Sequence, residues 1–154
     1  MLIVQFFSRP HPQNRACLTA AGAAIALMLA VVAGATAAPV ALEGTYWRLV
    51  QMHGEVIAST GDVSPPHIAL HRDTNRIAGF GGCNRFFGQY STSGQEISLQ
   101  PLGGSRASCP DTDALERAFI GALASVEHYA LVGGQLTLST GGRQILVFDA
   151  VADQ

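Results

Sequence analysis

The residues with most chemistry to offer lie close together. Cys83, Asn84 and Arg85 follow Gly81-Gly82 inside the run from Gly79 to Tyr90, which holds four glycines and four aromatic rings. A thiol becomes a nucleophile when its pKa is lowered and a base stands beside it. Arg85 can stabilise a thiolate, but no histidine lies near it in the sequence. The competing assignment is structural: a disulfide to Cys109, Asn84 in a left-handed turn, and Arg85 donating to loop carbonyls. His67 and His71 are four residues apart. On a helix that spacing chelates a metal, but Pro65-Pro66 and the alternation of His67-Ile68-Ala69-Leu70-His71 predict a strand. Four residues of strand span ~13 Å, too far to share an ion. His53 and His128 stand alone at element ends. Gly103-Gly104-Ser105 runs into Arg106-Ala107 and is not a nucleophile elbow. The chain has no lysine, so the usual phosphate-binding loop is excluded. Asp111 and Asp113 are best explained by helix capping. No metal or cofactor is expected.

These residues need elements to position them. Glycine tolerates positive φ and close backbone approach, so Gly81-Gly82 reads as a sharp corner between two strands, with the flanking rings packed against it. Around it the sequence predicts a meander of short strands. Thr45 to Met52 comes first, with Trp47 and Leu49 on one face, followed by a short Glu55-Val56-Ile57. Turn chemistry fills residues 58–66. His67 to His71 and Arg76 to Phe80 pair across a turn at Asp73-Thr74-Asn75. Phe86 to Tyr90 leaves the corner, Ser91 to Gly94 turns, and Glu96 to Leu99 returns. Pro101 to Pro110 is expected as a loop carrying Cys109. A helix follows, with Leu115, Phe119, Ala122, Leu123 and Val126 on its apolar face and Asp113 and Glu116 at capping-box spacing, Asp111 or Thr112 being the alternative cap. Strands at His128 to Val132, Gln135 to Leu138 and Gln144 to Phe148 close the chain, and Asp149 to Gln154 is a short tail. The sum is about eight short antiparallel strands and one helix that plugs or covers an open end of the curled sheet.

The first quarter of the chain does not belong to this pattern. Residues 1–15 carry Arg9 and Arg15 and no acid, and residues 16–38 are uncharged and apolar, ending Ala35-Thr36-Ala37-Ala38. That order is a secretory signal with cleavage after Ala37, which makes residues 1–37 a leader that contacts the membrane before removal. The alternative is an uncleaved inner-membrane anchor through residues 16–38, close to the ~20 apolar residues of a span. The residues before Cys17 lack the apolar-then-small run of a lipoprotein signal. Residues 38–154 then form a single domain, which keeps seven arginines and eleven acids, a formal charge of −4. A basic cluster is missing, so nucleic-acid binding has no electrostatic footprint. Cys83 and Cys109 are the two cysteines left after cleavage, and an even count in an exported chain suggests one disulfide; two buried free thiols are the alternative.

Taken together, Trp47-Arg48-Leu49, then Gly82-Cys83-Asn84-Arg85-Phe86 with Gly88 and Tyr90, then Ser105-Arg106-Ala107-Ser108-Cys109, then Glu116, Phe119 and Leu123 resemble the META domain of HslJ-like heat-shock and envelope proteins. The likeness covers about Gly44 to Phe148. One departure stands out: the family usually has Thr-x-Met-Ala-Cys before the helix, and Ala107 here replaces the Met. The resemblance implies a mainly β fold, a cracked, lipocalin-like β-barrel with one helix. It also implies association with heat shock, antibiotic tolerance and secretion, without a defined reaction. The expectation is therefore a monomeric, exported, periplasmic or envelope binding module, not an enzyme, for an apolar ligand or an envelope protein at the barrel mouth. The alternative is a thiol-based redox protein using Cys83 and Cys109. Asn84, Arg85 and Arg106 form the candidate binding or structural corner.

Overall fold

The computed structural model describes residues 39–58 and 64–151, and the side chains of residues 101 and 102 fall outside the description. The expected leader, 1–37, and part of the turn at 58–66 also lie outside the described residues. Among the described residues, nine antiparallel strands and one α-helix run in the order β1 (Tyr46–Met52), β2 (Glu55–Val56), β3 (His67–His71), β4 (Arg76–Phe80), β5 (Arg85–Ser93), β6 (Glu96–Gly104), α1 (Asp113–Ala124), β7 (His128–Val132), β8 (Gln135–Thr140) and β9 (Arg143–Val151). Successive strands pair with one another, except that β1 skips the small flap β2, which it also pairs, to reach β3. Pairing of β1 with β9 closes the other eight into a barrel.

Strand alternation sends one set of side chains inward. Trp47, Leu49, Ile68, Leu70, Ile77, Leu136, Leu138, Leu146 and Phe148 are all fully buried there. Each such side chain contributes roughly 1.5–3 kcal/mol by leaving water. The Trp47 indole N–H donates to the Leu42 carbonyl at 2.8 Å, so its burial strands no donor. In β9 four successive residues, Ile145 to Phe148, are buried. A register shift at Leu138/Ser139 leaves Ile145 unpaired on β8 and lets both Ile145 and Leu146 join the core.

The barrel is weakest between β6 and β7, which share one register pair, Glu96 with His128. Helix α1 is threaded between these two strands in sequence and packs its apolar face inside. Phe119 and Leu123 are fully buried, and the Phe119 ring lies 6.0 Å from Phe86 on β5 and 6.1 Å from Phe148 on β9. The expected crack is this seam, and the helix is the plug. The interior is filled by side chains of one continuous core.

Several expected boundaries move. Strand β5 runs through Ser91 to Ser93, and the turn falls at Gly94, because Ser91, Thr92 and Ser93 pair with Ser98, Ile97 and Glu96. Strand β6 continues through Pro101 to Gly104, where a loop was expected. A register shift between Phe87 and Gln89 takes up the extra residues at Pro101, and Gly103 and Gly104 then pair with Phe87 and Phe86. Proline is tolerated in a strand at such a bulge because no ladder donor is needed there. The expected tail is strand as far as Val151, held by pairing with Tyr46.

Candidate functional site

The chain leaves β4 at Phe80 and enters β5 at Arg85 through the expected corner. Gly82 has φ +113°, a region closed to most side chains. Gly81 is required for a different reason: a Cβ there would stand 2.6 Å from Cγ of Glu116. The side chain of Glu116, on the first turn of α1, therefore lies directly on the corner.

Glu116 is the hub of the polar contacts at this corner. Its Oε2 accepts from the backbone N–H groups of Cys83 at 3.1 Å and Asn84 at 2.6 Å, and its Oε1 accepts from Asn84 Nδ2 at 2.8 Å. Asn84 Nδ2 also donates to the Ala107 carbonyl at 3.0 Å. Asn84 Oδ1 accepts from Ser105 Oγ at 2.9 Å and from the Ala107 N–H at 2.7 Å. An asparagine side chain has two donors and two acceptor lone pairs, and all four are used. Asn84 is 7% exposed. It is therefore a buried connector within the candidate corner, with no group left over for a ligand. Nor is it left-handed: among the described residues the non-glycine positions with positive φ are His53 and Asn75.

Cys83 and Cys109 are joined in a disulfide with Cα atoms 5.9 Å apart. Their local supports mirror each other. The Cys83 N–H is held by Glu116, and the Cys109 N–H donates to Asp113 Oδ1 at 2.9 Å, while Ser108 Oγ donates to Asp113 Oδ2 at 3.3 Å. The Asp113/Glu116 pair thus does not form the expected capping box. Thr112 is the N-cap and makes no side-chain cap bond. The two carboxylates turn to the two half-cystines: Asp113 reaches back to the Cys109 N–H four residues before it on the same segment, and Glu116 takes its donors from the distant β4–β5 corner.

Arg85 and Arg106 are exposed, and neither guanidinium donates a hydrogen bond among the described residues. It is the Arg85 backbone that engages the loop: its N–H donates to Ser105 Oγ at 3.2 Å and its carbonyl accepts from the Ser105 N–H at 3.0 Å. The structure brings Cys83, Cys109 and Asn84 together and leaves the side chains of Arg85 and Arg106 outside. Glu116, Ser105 and the Ala107 backbone complete the node. Glu116 was legible as a motif residue but not as a partner of Asn84, 32 positions away.

The aromatic rings divide as well. Phe86 and Tyr90 point inward, and Tyr90 Oη donates to Glu43 Oε1 at 2.8 Å. Burial, then that bond, pushes the Tyr90 phenol up to about 12. The Tyr90 bond, followed by Arg72, which pairs with the same carboxylate, holds Glu43 below its usual range. Phe87 points outward and is 54% exposed. His67 is half-buried and its Nδ1–H donates to the Pro65 carbonyl at 3.0 Å; burial lowers its pKa, and Arg85 lowers it further against that bond. His71 is exposed on the same strand. Among the described residues no three His, Cys, Asp or Glu side chains converge as a metal-binding group, and no helix is long and apolar enough to cross a membrane.

A closed antiparallel barrel plugged by one helix, with a cystine tying the β4–β5 corner to the helix start, defines the class of small domain. The META-domain family matches residues 40–153, and this chain belongs to that family. Among solved structures it is similar to a protein from Burkholderia xenovorans determined by NMR, at 27% identity over 73% of this chain and 85% of that one, with a TM-score of 0.59. A second NMR structure matches at 27% identity over 71% and 94% of the two chains, TM-score 0.56. A crystal structure of a DUF4847 family protein from Bacteroides vulgatus shares the fold, with 15% identity over 73% and 96% and a TM-score of 0.53. No curated protein matches significantly.

Proposed function

We propose that this chain is an exported META-domain protein of the cell envelope that acts as a monomeric, non-enzymatic binding module under stress such as heat shock or antibiotic exposure. The observation that carries this reading is the saturation of the corner. All four hydrogen-bonding positions of Asn84 are consumed internally, and both half-cystines are braced by carboxylates. A group that must exchange protons or attack a substrate keeps a free partner in reach, and this node keeps none. Export rests on the leader pattern of residues 1–37, with which a disulfide agrees because such bonds persist in oxidising compartments. The stress association comes from the family resemblance.

The test is to express the full chain, recover it from the periplasm, determine its N-terminus and titrate the cystine against a thiol redox buffer. The expected result is a mature chain beginning at Ala38 and a reduction potential below about −300 mV, the range of structural bridges. Retention in the cytoplasm sinks the export reading. A readily reduced pair with a low-pKa thiol replaces the structural reading with thiol redox chemistry.

A further inference from the structure

The outer face of β1, β3, β4 and β5 is not an ordinary solvent face. The sheet register sets Tyr46, Ala69, Ala78 and Phe87 side by side across four strands. Two large rings therefore stand at either end of a floor made of two methyl groups. The next row reads Arg48, His67, Phe80 and Arg85. The His67 ring lies 4.4 Å from Tyr46 and 5.8 Å from Phe80 at shallow interplanar angles of 31° and 28°. Together they form a trough of about 330 Å³, lined by Tyr46, His67, Ala69, Ala78, Arg85 and Phe87. That volume is at the low end of small-molecule sites.

Charge selects the occupant. The domain is net negative, yet Arg48, Arg76 and Arg85 gather on this face, with the Arg76 guanidinium 6.0 Å from the Phe87 ring centroid. Among the described residues no acidic side chain lines the trough, and Asp149 stands opposite Arg48 in the register. Arg85 stands at the rim with no hydrogen bond from its guanidinium among the described residues. The four strands are paired on both edges here, so an extended peptide finds no free backbone on which to add a strand. Recognition must come from rings and guanidinium groups.

We propose that this trough binds a small planar aromatic acid, its ring laid on Ala69 and Ala78 between Tyr46 and Phe87 and its carboxylate on Arg85. This rests on the binding-module reading and names its ligand class. The experiment is an NMR titration of the protein recovered from cells expressing the full chain. The probes are indole-3-acetate, tryptamine, and an end-capped Glu-Trp-Glu tripeptide. Indole-3-acetate is expected to give saturable shifts at Ala69, Ala78 and Phe87. Binding is expected to fall about tenfold for tryptamine and for Arg85→Gln, the loss of one charge-assisted pair, and to vanish in Ala78→Leu, which fills the floor. No saturable shift, shifts indifferent to Arg85→Gln, or shifts centred off this face overturn the proposal, and tighter binding of the tripeptide overturns the ligand class. A failed titration of a correctly exported, cystine-bearing protein refutes the trough alone. Binding by a protein retained in the cytoplasm refutes the export reading alone.

Discussion

Replacing Glu116 tests the corner most directly. Its carboxylate accepts from two backbone N–H groups and from the Asn84 amide. At about 1–1.5 kcal/mol net for each bond, Glu116→Ala should cost about 3–4 kcal/mol. For a domain of this size that is a fall of roughly 10–15 °C in Tm. Glu116→Gln separates charge from shape. Its carbonyl oxygen can serve the Cys83 and Asn84 N–H groups, but its NH₂ then faces Asn84 Nδ2, donor against donor. Asn84 cannot rotate to help, because its Oδ1 already holds Ser105 Oγ and the Ala107 N–H. The glutamine variant should therefore lose about 1–3 kcal/mol, less than alanine but well above a surface change. Urea unfolding followed by far-UV circular dichroism, with the cystine intact, measures both. A double-mutant cycle with Asn84→Ala should return a coupling of about 0.5–3 kcal/mol. If both variants stay within about 0.5 kcal/mol of the parent, the size of an ordinary surface substitution, Glu116 does not hold the corner and the node is not structural.

Three further outcomes are expected. Reducing the cystine, or Cys83→Ser with Cys109→Ser, opens a link spanning 26 positions and should cost about 3.5 kcal/mol by loop entropy, seen as a lower urea midpoint with reductant. His67 has a folded pKa below its unfolded value, so its contribution is present above about 6.5 and is lost as pH falls through the folded value. Urea midpoints should drop as pH falls below about 7, and His67→Phe should flatten that part of the profile. Tyr90 runs the other way: its raised pKa means a contribution intact below about 10 and lost as pH rises through about 12. Ultraviolet titration should show one phenol ionising last, and Tyr90→Phe should remove that step.

Much of the barrel was written in local pattern. Trp47 and Leu49, Ile68 and Leu70, and the Leu115 to Val126 stripe announce their elements through period 2 or 3.6, because each element must bury one face whatever its partners are. Gly82 likewise declares its turn, since few other residues adopt its φ. What the sequence could not state was which elements meet. Strand β6 runs past Pro101 only because β5 offers a bulged register there, and Asp149 to Val151 are strand only because β1 lies alongside. Asp113 and Glu116 have capping-box spacing, and a lone helix would use them on its own N-terminus. Instead Asp113 takes the Cys109 N–H, four residues back, and tertiary packing brings the N–H of Cys83 within reach of Glu116. The burial of Asn84 was not legible for the same reason: its four hydrogen bonds go to residues 105, 107 and 116, and a buried polar side chain is legible only once the groups that satisfy it are in place. The sequence thus determined the strands, the turns and the two cysteines. Only the folded chain decided that the corner is a closed node and that the Tyr46–Phe87 trough lies on the outside of the barrel, since both depend on which side chains stand opposite one another across strands distant in sequence.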